Sequence, residues 1–138
     1  MEKKYLFLDD VRDPNDVTHY CPSSLVSLYT KEDWIIVRNY QEFQIWINNM
    51  GLPDVISFDH DLADEHYSPL MYGEGYNELY NEFKEKTGYD CAQWLVNYCM
   101  DKGIDIPDFY VHSMNPVGSH NISAYLNNYR KFFRENLD

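Results

Sequence analysis

Four short apolar runs recur along the chain, and each stops abruptly at polar or charged residues. None of them alternates between apolar and polar positions, which is typical of strands buried on both faces of a parallel sheet. The runs cover residues 4–8, 34–37, 55–58 and 109–111. The polar residues that end them are, in chain order, Asp9-Asp10, Arg38-Asn39, Asp59-His60-Asp61 and His112-Ser113.

The segments between these runs carry apolar residues at helical spacing. Helices are predicted over residues 40–50, 90–102 and 119–136, and another one around residues 76–83 in the long connection after the third strand. Residues 12–33 show no clear helix, and a short helix and a hairpin near residues 25–29 both stay open. Strands that alternate with helices predict an α/β fold, with an open, mostly parallel sheet and flanking helices in a single domain, residues 1–138.

The carboxyl ends of parallel strands are where open α/β sheets bind their ligands. Here four carboxylates and two histidines follow three of the four runs: Asp9, Asp10, Asp59, Asp61, His60 and His112. Crowded carboxylates repel one another, so we expect Mg²⁺ or Mn²⁺ to neutralise them. Plainer interpretations also stay open. A pair of aspartates after a strand is a common turn or cap signal, a lone histidine is often structural, and Arg38 fits a surface ion pair as well as the site.

The connection after the fourth strand, residues 115–121, predicts an anion site. Gly118 allows close approach of the backbone to a ligand, and Ser119 is a suitable N-cap for the last helix. A helix N-terminus directs free N–H groups towards bound phosphate. An ordinary capped loop would explain the same residues. Asp90 is expected to be a plain N-cap of the preceding helix.

The charge balance narrows the class of partner. Eleven Lys and Arg against 23 Asp and Glu give a net charge of −12, which disfavours a duplex-DNA binder. A nucleotide or an RNA end stays possible, because a metal ion or a few arginines reverse the sign locally. The chain has no apolar stretch of membrane-spanning length, no secretory leader and three cysteines without CxxC spacing, so we expect a cytoplasmic protein without a membrane span. The oligomeric state is left open.

Several of these segments resemble motifs of the cyclic-phosphate processing receiver-like family. The matching strings are LFLDDVRDP, the VR after the second strand, ISFDHDL, TGYDCAQWL and VHSMNPVGSHN. The resemblance implies a fold like that of response-regulator receivers, a flavodoxin-like three-layer sandwich. It also implies that Asp9 and Asp10 are the paired acids around Mg²⁺ and that Asp59 occupies the phosphoacceptor position. Residues 67–86 lie outside the motifs, and an insertion is predicted at about residues 64–87.

The sequence departs from signalling receivers in ways that favour a different chemistry. His60 and Asp61 follow the acceptor position at once, His112 precedes the strand-end Ser113, and no fifth strand ends in the receiver's lysine. The family is thought to act on cyclic phosphates of nucleotides or RNA ends, so the resemblance implies a metal-dependent phosphoesterase. A degenerate receiver that acts as an interaction module, and a protein that binds a cyclic nucleotide without turnover, stay as alternatives.

Roles for individual residues follow from this chemistry. Opening a cyclic phosphodiester needs a polarised phosphoryl group, an activated nucleophile and a proton donor for the leaving oxygen. The predicted metal ligands are Asp9, Asp10 and Asp59. The predicted acid–base residues are His60, Asp61 and His112. The predicted substrate-binding residues are Arg12, Arg38, Ser113, Asn115, Gly118 and Asn121.

Overall fold

The computed structural model of the protein describes residues 3–62 and 86–136. Its sheet has four parallel strands in the order β2-β1-β3-β4, and the prediction of a receiver-like α/β fold is confirmed. The strands are β1 (Tyr5–Leu8), β2 (Trp34–Val37), β3 (Val55–Phe58) and β4 (Asp108–Val111). The predicted helix around residues 76–83 and most of the predicted insertion lie outside the described residues. In the described ranges there is no fifth strand.

Helices cover both faces of the sheet. Residues 12–33, where the sequence left a helix and a hairpin open, form α1 (Pro14–Val17), a 3₁₀ turn (Ser23–Leu25) and α2 (Val26–Lys31) on one face. The opposite face is covered by α3 (Tyr40–Met50), α4 (Gly88–Lys102) and α5 (Pro116–Glu135). No helix within the described ranges is both long and apolar enough to span a bilayer.

Alternation along the two central strands divides the core between these faces. Leu6, Leu8 and Phe58 are fully buried against α3, α4 and α5. Phe7 points the other way and packs with Val17 and Tyr29 beneath the shorter helices. Each central strand buries both of its faces, which explains why the runs read as continuously apolar.

Two helix starts differ from the sequence prediction. The N-cap of α4 is Thr87, whose hydroxyl accepts from the N–H of Asp90, so Asp90 is the third helical residue rather than the cap. The N-cap of α5 is Asn115, whose side-chain oxygen accepts from the N–H of Gly118, and Ser119 therefore lies inside the first turn. Both helices begin earlier than predicted because a capping side chain bonds the backbone two or three residues ahead of it.

The start of α4 is pressed against the end of β3. The N–H of Gly88 donates to the carbonyl of His60 at 2.7 Å. A Cβ atom added to Gly88 would lie 1.7 Å from the carbonyl oxygen of Asp59. Only glycine therefore permits this approach, which fixes the backbone of the Asp59-His60 segment against the helix.

Gly88→Ala is expected to destabilise the fold by about 1–3 kcal/mol, the usual cost of overpacking, because the clash is with backbone. Asn97→Ala, an exposed change on the same helix, is the control and should leave stability unchanged or raise it slightly. Urea unfolding of both variants measures the difference. Equal stability of the two variants would contradict this close approach.

Candidate functional site

Three polar residues continue the sheet by one residue beyond its strands. The N–H of Asp9 donates to Val37 O at 3.1 Å, and the N–H groups of Asp59 and His112 donate to Leu8 O and Phe58 O at 2.9 Å each. These bonds set Asp9, Asp59 and His112 side by side in one row. One ligand atom from each lies within 4.8 Å of the other two, and all three residues are buried.

Asp9 is a buried carboxylate with a partner on each oxygen. Its Oδ1 accepts the N–H groups of Val11 at 3.0 Å and Arg12 at 2.8 Å. Its Oδ2 lies 3.0 Å from Nε2 of His112 and 3.6 Å from Nη1 of Arg12. Burial by itself raises the pKa of Asp9, but the hydrogen bonds from His112 and the two backbone N–H groups outweigh it and lower the pKa. Asp9 is therefore ionised in the folded protein.

His112 sits within a buried chain of hydrogen bonds. Its ring stacks on Phe7 with centroids 4.4 Å apart, and its Nδ1 lies 2.7 Å from the hydroxyl of Ser57. The Ser57 hydroxyl in turn lies 2.6 Å from the hydroxyl of Tyr29. Burial lowers the pKa of His112 and outweighs the opposing effect of its hydrogen bond to Asp9, so the ring is neutral.

The protonation states of Asp9, His112 and Tyr29 determine which group donates in each of these hydrogen bonds. A neutral imidazole donates through one nitrogen and accepts through the other. Because ionised Asp9 can only accept, Nε2 of His112 carries the proton and Nδ1 accepts from Ser57. Tyr29, whose pKa burial raises to about 12, stays protonated and donates to Ser57. The chain therefore runs from Tyr29 through Ser57 to His112 and on to Asp9 without an unmatched donor.

Asp59 lies in the same row but in a different electrostatic state. Burial and the neighbouring charge of Asp9 raise the pKa of Asp59 to about 6, and the bonds from the His60 N–H and the Ser113 side chain only partly oppose them. Two carboxylates this close and this buried repel each other when both are ionised.

A cleft of about 560 Å³ opens directly above this row. Its wall includes the carboxylates Asp10, Asp59 and Asp61, together with Arg12 from the loop after β1. The segment from the end of β4 into α5 also lines the cleft, through Ser113, Met114, Asn115 and Pro116. Six of the predicted site residues therefore meet at one cavity: Asp10, Arg12, Asp59, Asp61, Ser113 and Asn115.

Arg12 is held in place from two sides. Its guanidinium lies 5.5 Å from the centroid of the Tyr20 ring and 3.4 Å from the sulfur of Met114. Tyr20 itself donates its hydroxyl to the backbone oxygen of His112 at 2.7 Å. Tyr20 thus ties the segment after α1 to the end of β4 and supports the guanidinium at the cleft.

His60 points to the other face of the sheet from His112. Its Nδ1 lies 2.9 Å from a carboxylate oxygen of Asp61 and 3.4 Å from the amide nitrogen of Asn115. A Cβ added to Gly118 would lie only 2.3 Å from the His60 ring. The ring thus packs against the start of α5, just behind the cleft residues Asp61 and Asn115.

Six of the predicted site residues do not line the cleft: Asp9, Arg38, His60, His112, Gly118 and Asn121. Arg38 donates to the backbone oxygens of Asp9 and Arg12 and pairs with Asp13 at 2.7 Å, so it braces the loop after β1. Asn121 is exposed in the second turn of α5. The side chain of His112 is fully enclosed, with both nitrogens hydrogen-bonded.

Sequence reasoning missed Tyr20, Tyr29 and Ser57. Ser57 did carry a signal, because it is the one polar residue inside the third apolar run. A buried hydroxyl needs a hydrogen-bond partner. Neither tyrosine stands out among the thirteen of the chain.

The donor set suits a hard divalent cation. Carboxylate oxygens are the ligands that Mg²⁺ and Mn²⁺ prefer, and a cation would offset the repulsion that raises the pKa of Asp59. Asp9 and Asp59 lie close enough to share one ion, and Asp10 borders the same cleft. His112 is less suited as a ligand, because Asp9 and Ser57 already occupy its nitrogens.

Comparison with known proteins identifies one family. The sequence model of the cyclic-phosphate processing receiver domain matches residues 4–128, which is most of the chain. No curated protein and no solved structure matches the chain significantly.

Removing the charge of Asp59 should stabilise the fold, whereas removing the charge of Asp9 should destabilise it. The pKa of Asp59 in the folded protein, about 6, lies above the 3.8 that is usual for an aspartate. Stability from its protonated form is therefore present below about pH 4 and is lost as pH rises through about 6. In chelator at pH 8, Asp59→Asn should stabilise the fold by on the order of 2 kcal/mol. Asp9→Asn should destabilise it, because the amide replaces an ionised acceptor.

Thermal unfolding of both variants and the wild type between pH 3.5 and 8 tests this contrast. The gain from Asp59→Asn should disappear near pH 3.5, where the wild-type carboxyl is already neutral. A gain of the same size at both ends of the range, or a loss at pH 8, would contradict the assignment.

The hydrogen-bond chain makes a separate prediction. Ser57→Ala leaves both the Tyr29 hydroxyl and Nδ1 of His112 without this partner and should cost about 1–3 kcal/mol. Tyr29→Phe removes only the terminal donor and should cost less, since Ser57 still donates to His112. Urea unfolding compares the two, and the opposite order would contradict the central position of Ser57 between Tyr29 and His112.

Proposed function

The chain belongs to the cyclic-phosphate processing receiver family, and on that premise we propose that it hydrolyses cyclic phosphates on nucleotides or RNA ends with the help of a divalent cation. The observation that carries the proposal is the crowding of Asp9 and Asp59 at the floor of a cleft that also holds Asp10, Asp61 and Arg12. Such crowding favours a cation, and a cation in turn favours a phosphate ligand despite the acidic surroundings.

The reaction consumes one water. The water oxygen forms a bond to phosphorus as it loses a proton, the bond from phosphorus to one ribose oxygen breaks, and that oxygen gains a proton. The product is a phosphomonoester. A catalyst must therefore stabilise the charge on the phosphoryl oxygens, accept one proton and donate another.

Arg12 and the loop before α5 are proposed to hold the phosphoryl group. The guanidinium is partly exposed at the cleft and kept there by Tyr20. Ser113 lines the cleft beside Asp59, and the first turn of α5 places the positive end of a 20-residue helix at the same edge. Asn115 caps this turn and keeps its direction fixed.

Asp61 and His60 are proposed to move the protons. Asp61 is the exposed member and borders the cleft, while His60 bonds it from behind at 2.9 Å. The carboxylate of Asp61 can accept a proton from a water in the cleft, and the hydrogen-bonded ring of His60 can relay it. His112, enclosed between Asp9 and Ser57, is instead proposed to orient Asp9.

A bound Mg²⁺ or Mn²⁺ would polarise the phosphoryl oxygens and screen the carboxylates. Asp9, Asp10 and Asp59 are the residues proposed to hold it. Asp9 keeps a fixed orientation because two backbone N–H groups and His112 anchor it. The cation would reduce the repulsion between the carboxylates of Asp59 and Asp9.

A second candidate function is binding of a cyclic nucleotide without turnover. The enclosure of His112 favours it, because that leaves only the His60-Asp61 pair as an imidazole-containing acid–base pair near the cleft in the described part of the chain. The same cleft and cation would serve either function, so product analysis must decide between them.

The experiment is ³¹P NMR of a 2′,3′-cyclic nucleotide with protein and millimolar Mg²⁺ or Mn²⁺, with calorimetric binding measured in parallel. We expect the cyclic phosphate to convert to a monoester. Asp61→Asn should slow the conversion by about 10²-fold, a usual loss for acid–base catalysis, with little change in binding. Asp101→Asn, an exposed change on α4, is the matched control.

The outcomes separate the two candidates. Binding without any conversion by the wild type would replace the enzyme with the binding protein. Absence of both binding and conversion, with either cation, would overturn both candidates. Conversion that Asp61→Asn leaves unchanged would remove the His60-Asp61 pair from the chemistry.

A further inference from the structure

The mouth of the cleft carries apolar side chains that the phosphate chemistry does not use. Val11, in the loop after β1, is 49% exposed, and Met114, in the loop after β4, is 61% exposed. Both line the cleft, as does Pro116 beside Met114. Exposed apolar side chains on both of the loops that border an acidic cleft indicate contact with a ligand's apolar part.

The size of the cleft agrees with a ligand larger than a cyclic phosphate. Pockets that enclose drug-sized ligands measure roughly 300–1,000 Å³, and this cleft measures about 560 Å³. The carboxylates and Arg12 account for the polar end. Val11, Met114 and Pro116 also line this cleft, and they have no role in binding phosphate.

Met114 contacts the guanidinium of Arg12. The Met114 sulfur lies 3.4 Å from Nη2 of the guanidinium, so this side chain continues directly from the proposed phosphate contact to the cleft mouth. A group attached to a phosphate at Arg12 would thus reach Met114 next. Thioether sulfur makes favourable contacts with aromatic rings.

We propose that Val11 and Met114 form a nucleobase subsite, so that the ligand is a nucleoside cyclic phosphate rather than a cyclic phosphate of a simple polyol. This inference rests on the proposed function and extends it to the substrate's base. A flat ring can pack its face on these exposed apolar side chains while its polar edges stay in contact with solvent.

The subsite is expected to tolerate different bases. Asn115 is the amide nearest to Met114 along the chain, but its oxygen accepts from Gly118 and its nitrogen faces His60. Recognition through ring faces rather than ring edges discriminates poorly, since every base presents a π face. Adenosine and cytidine 2′,3′-cyclic phosphates should bind within about tenfold of each other.

The test compares a nucleoside 2′,3′-cyclic phosphate with methyl riboside 2′,3′-cyclic phosphate, which lacks a base. Calorimetry with Mn²⁺ in an Asp61→Asn background limits turnover during the titration. The nucleotide should bind at least about fivefold more tightly, the lower end of base-stacking contributions. Met114→Ala should weaken nucleotide binding by about 3- to 10-fold and leave the riboside unchanged.

Two further variants isolate the role of the side chain. Met50→Ala removes a methionine of similar exposure, 53%, at the end of α3, and should change neither affinity. Met114→Leu keeps an apolar wall and should retain most of the nucleotide affinity. Weakening of both ligands to the same extent by Met114→Ala would assign Met114 to Arg12 instead and overturn the base subsite.

The remaining outcomes distinguish this inference from the proposed function. Equal affinity for nucleotide and riboside, unchanged by Met114→Ala, overturns the subsite while the phosphate site stands. Failure of both ligands to bind overturns the proposed function and the subsite with it. An oligoribonucleotide ending in a 2′,3′-cyclic phosphate separates the two sources of this nucleoside, and Met114-dependent binding of either source supports the subsite.

Discussion

The ionised carboxylate of Asp9, enclosed by protein, is the constraint on which the arrangement of the site depends. An isolated buried charge costs several kcal/mol, so Asp9 must be surrounded by donors. These come from the backbone of its own loop and from His112 at the end of β4. Since β3 lies between β1 and β4, the bond from His112 to Asp9 spans the width of the central strand and joins loops distant in sequence.

This anchoring produces two layers with different tasks. The lower layer, made of Asp9, His112, Ser57 and Tyr29, is enclosed and fully paired. The upper layer borders the cleft and contains charged groups in contact with solvent, among them Asp61 and Arg12. Under the proposed function, the hydrogen-bonded lower layer would hold the groups of the upper layer in place without itself taking part in proton transfer.

Asp59 belongs to both layers, and its carboxylate is repelled by that of Asp9 when both are ionised. It shares the buried row with Asp9 yet also lines the cleft. The fold keeps it there through close packing, because α4 begins with a glycine against its carbonyl group. Ionisation of Asp59 next to Asp9 is unfavourable, and this repulsion is what the proposed cation would offset.

Local sequence patterns predicted the strands, the carboxyl edge of the sheet as the place of the candidate site, and the charged residues at that edge. These are local properties, since apolar runs and the polar residues that end them follow directly from the order of the chain. Which of these residues line the cleft and which pack behind it depends on the tertiary structure. His60 and His112 both follow strands, but alternation and packing against different helices send their rings to opposite faces. Tyr29 and Ser57 meet only because α2 packs over β3, and such contacts depend on how distant segments fold together rather than on any local pattern.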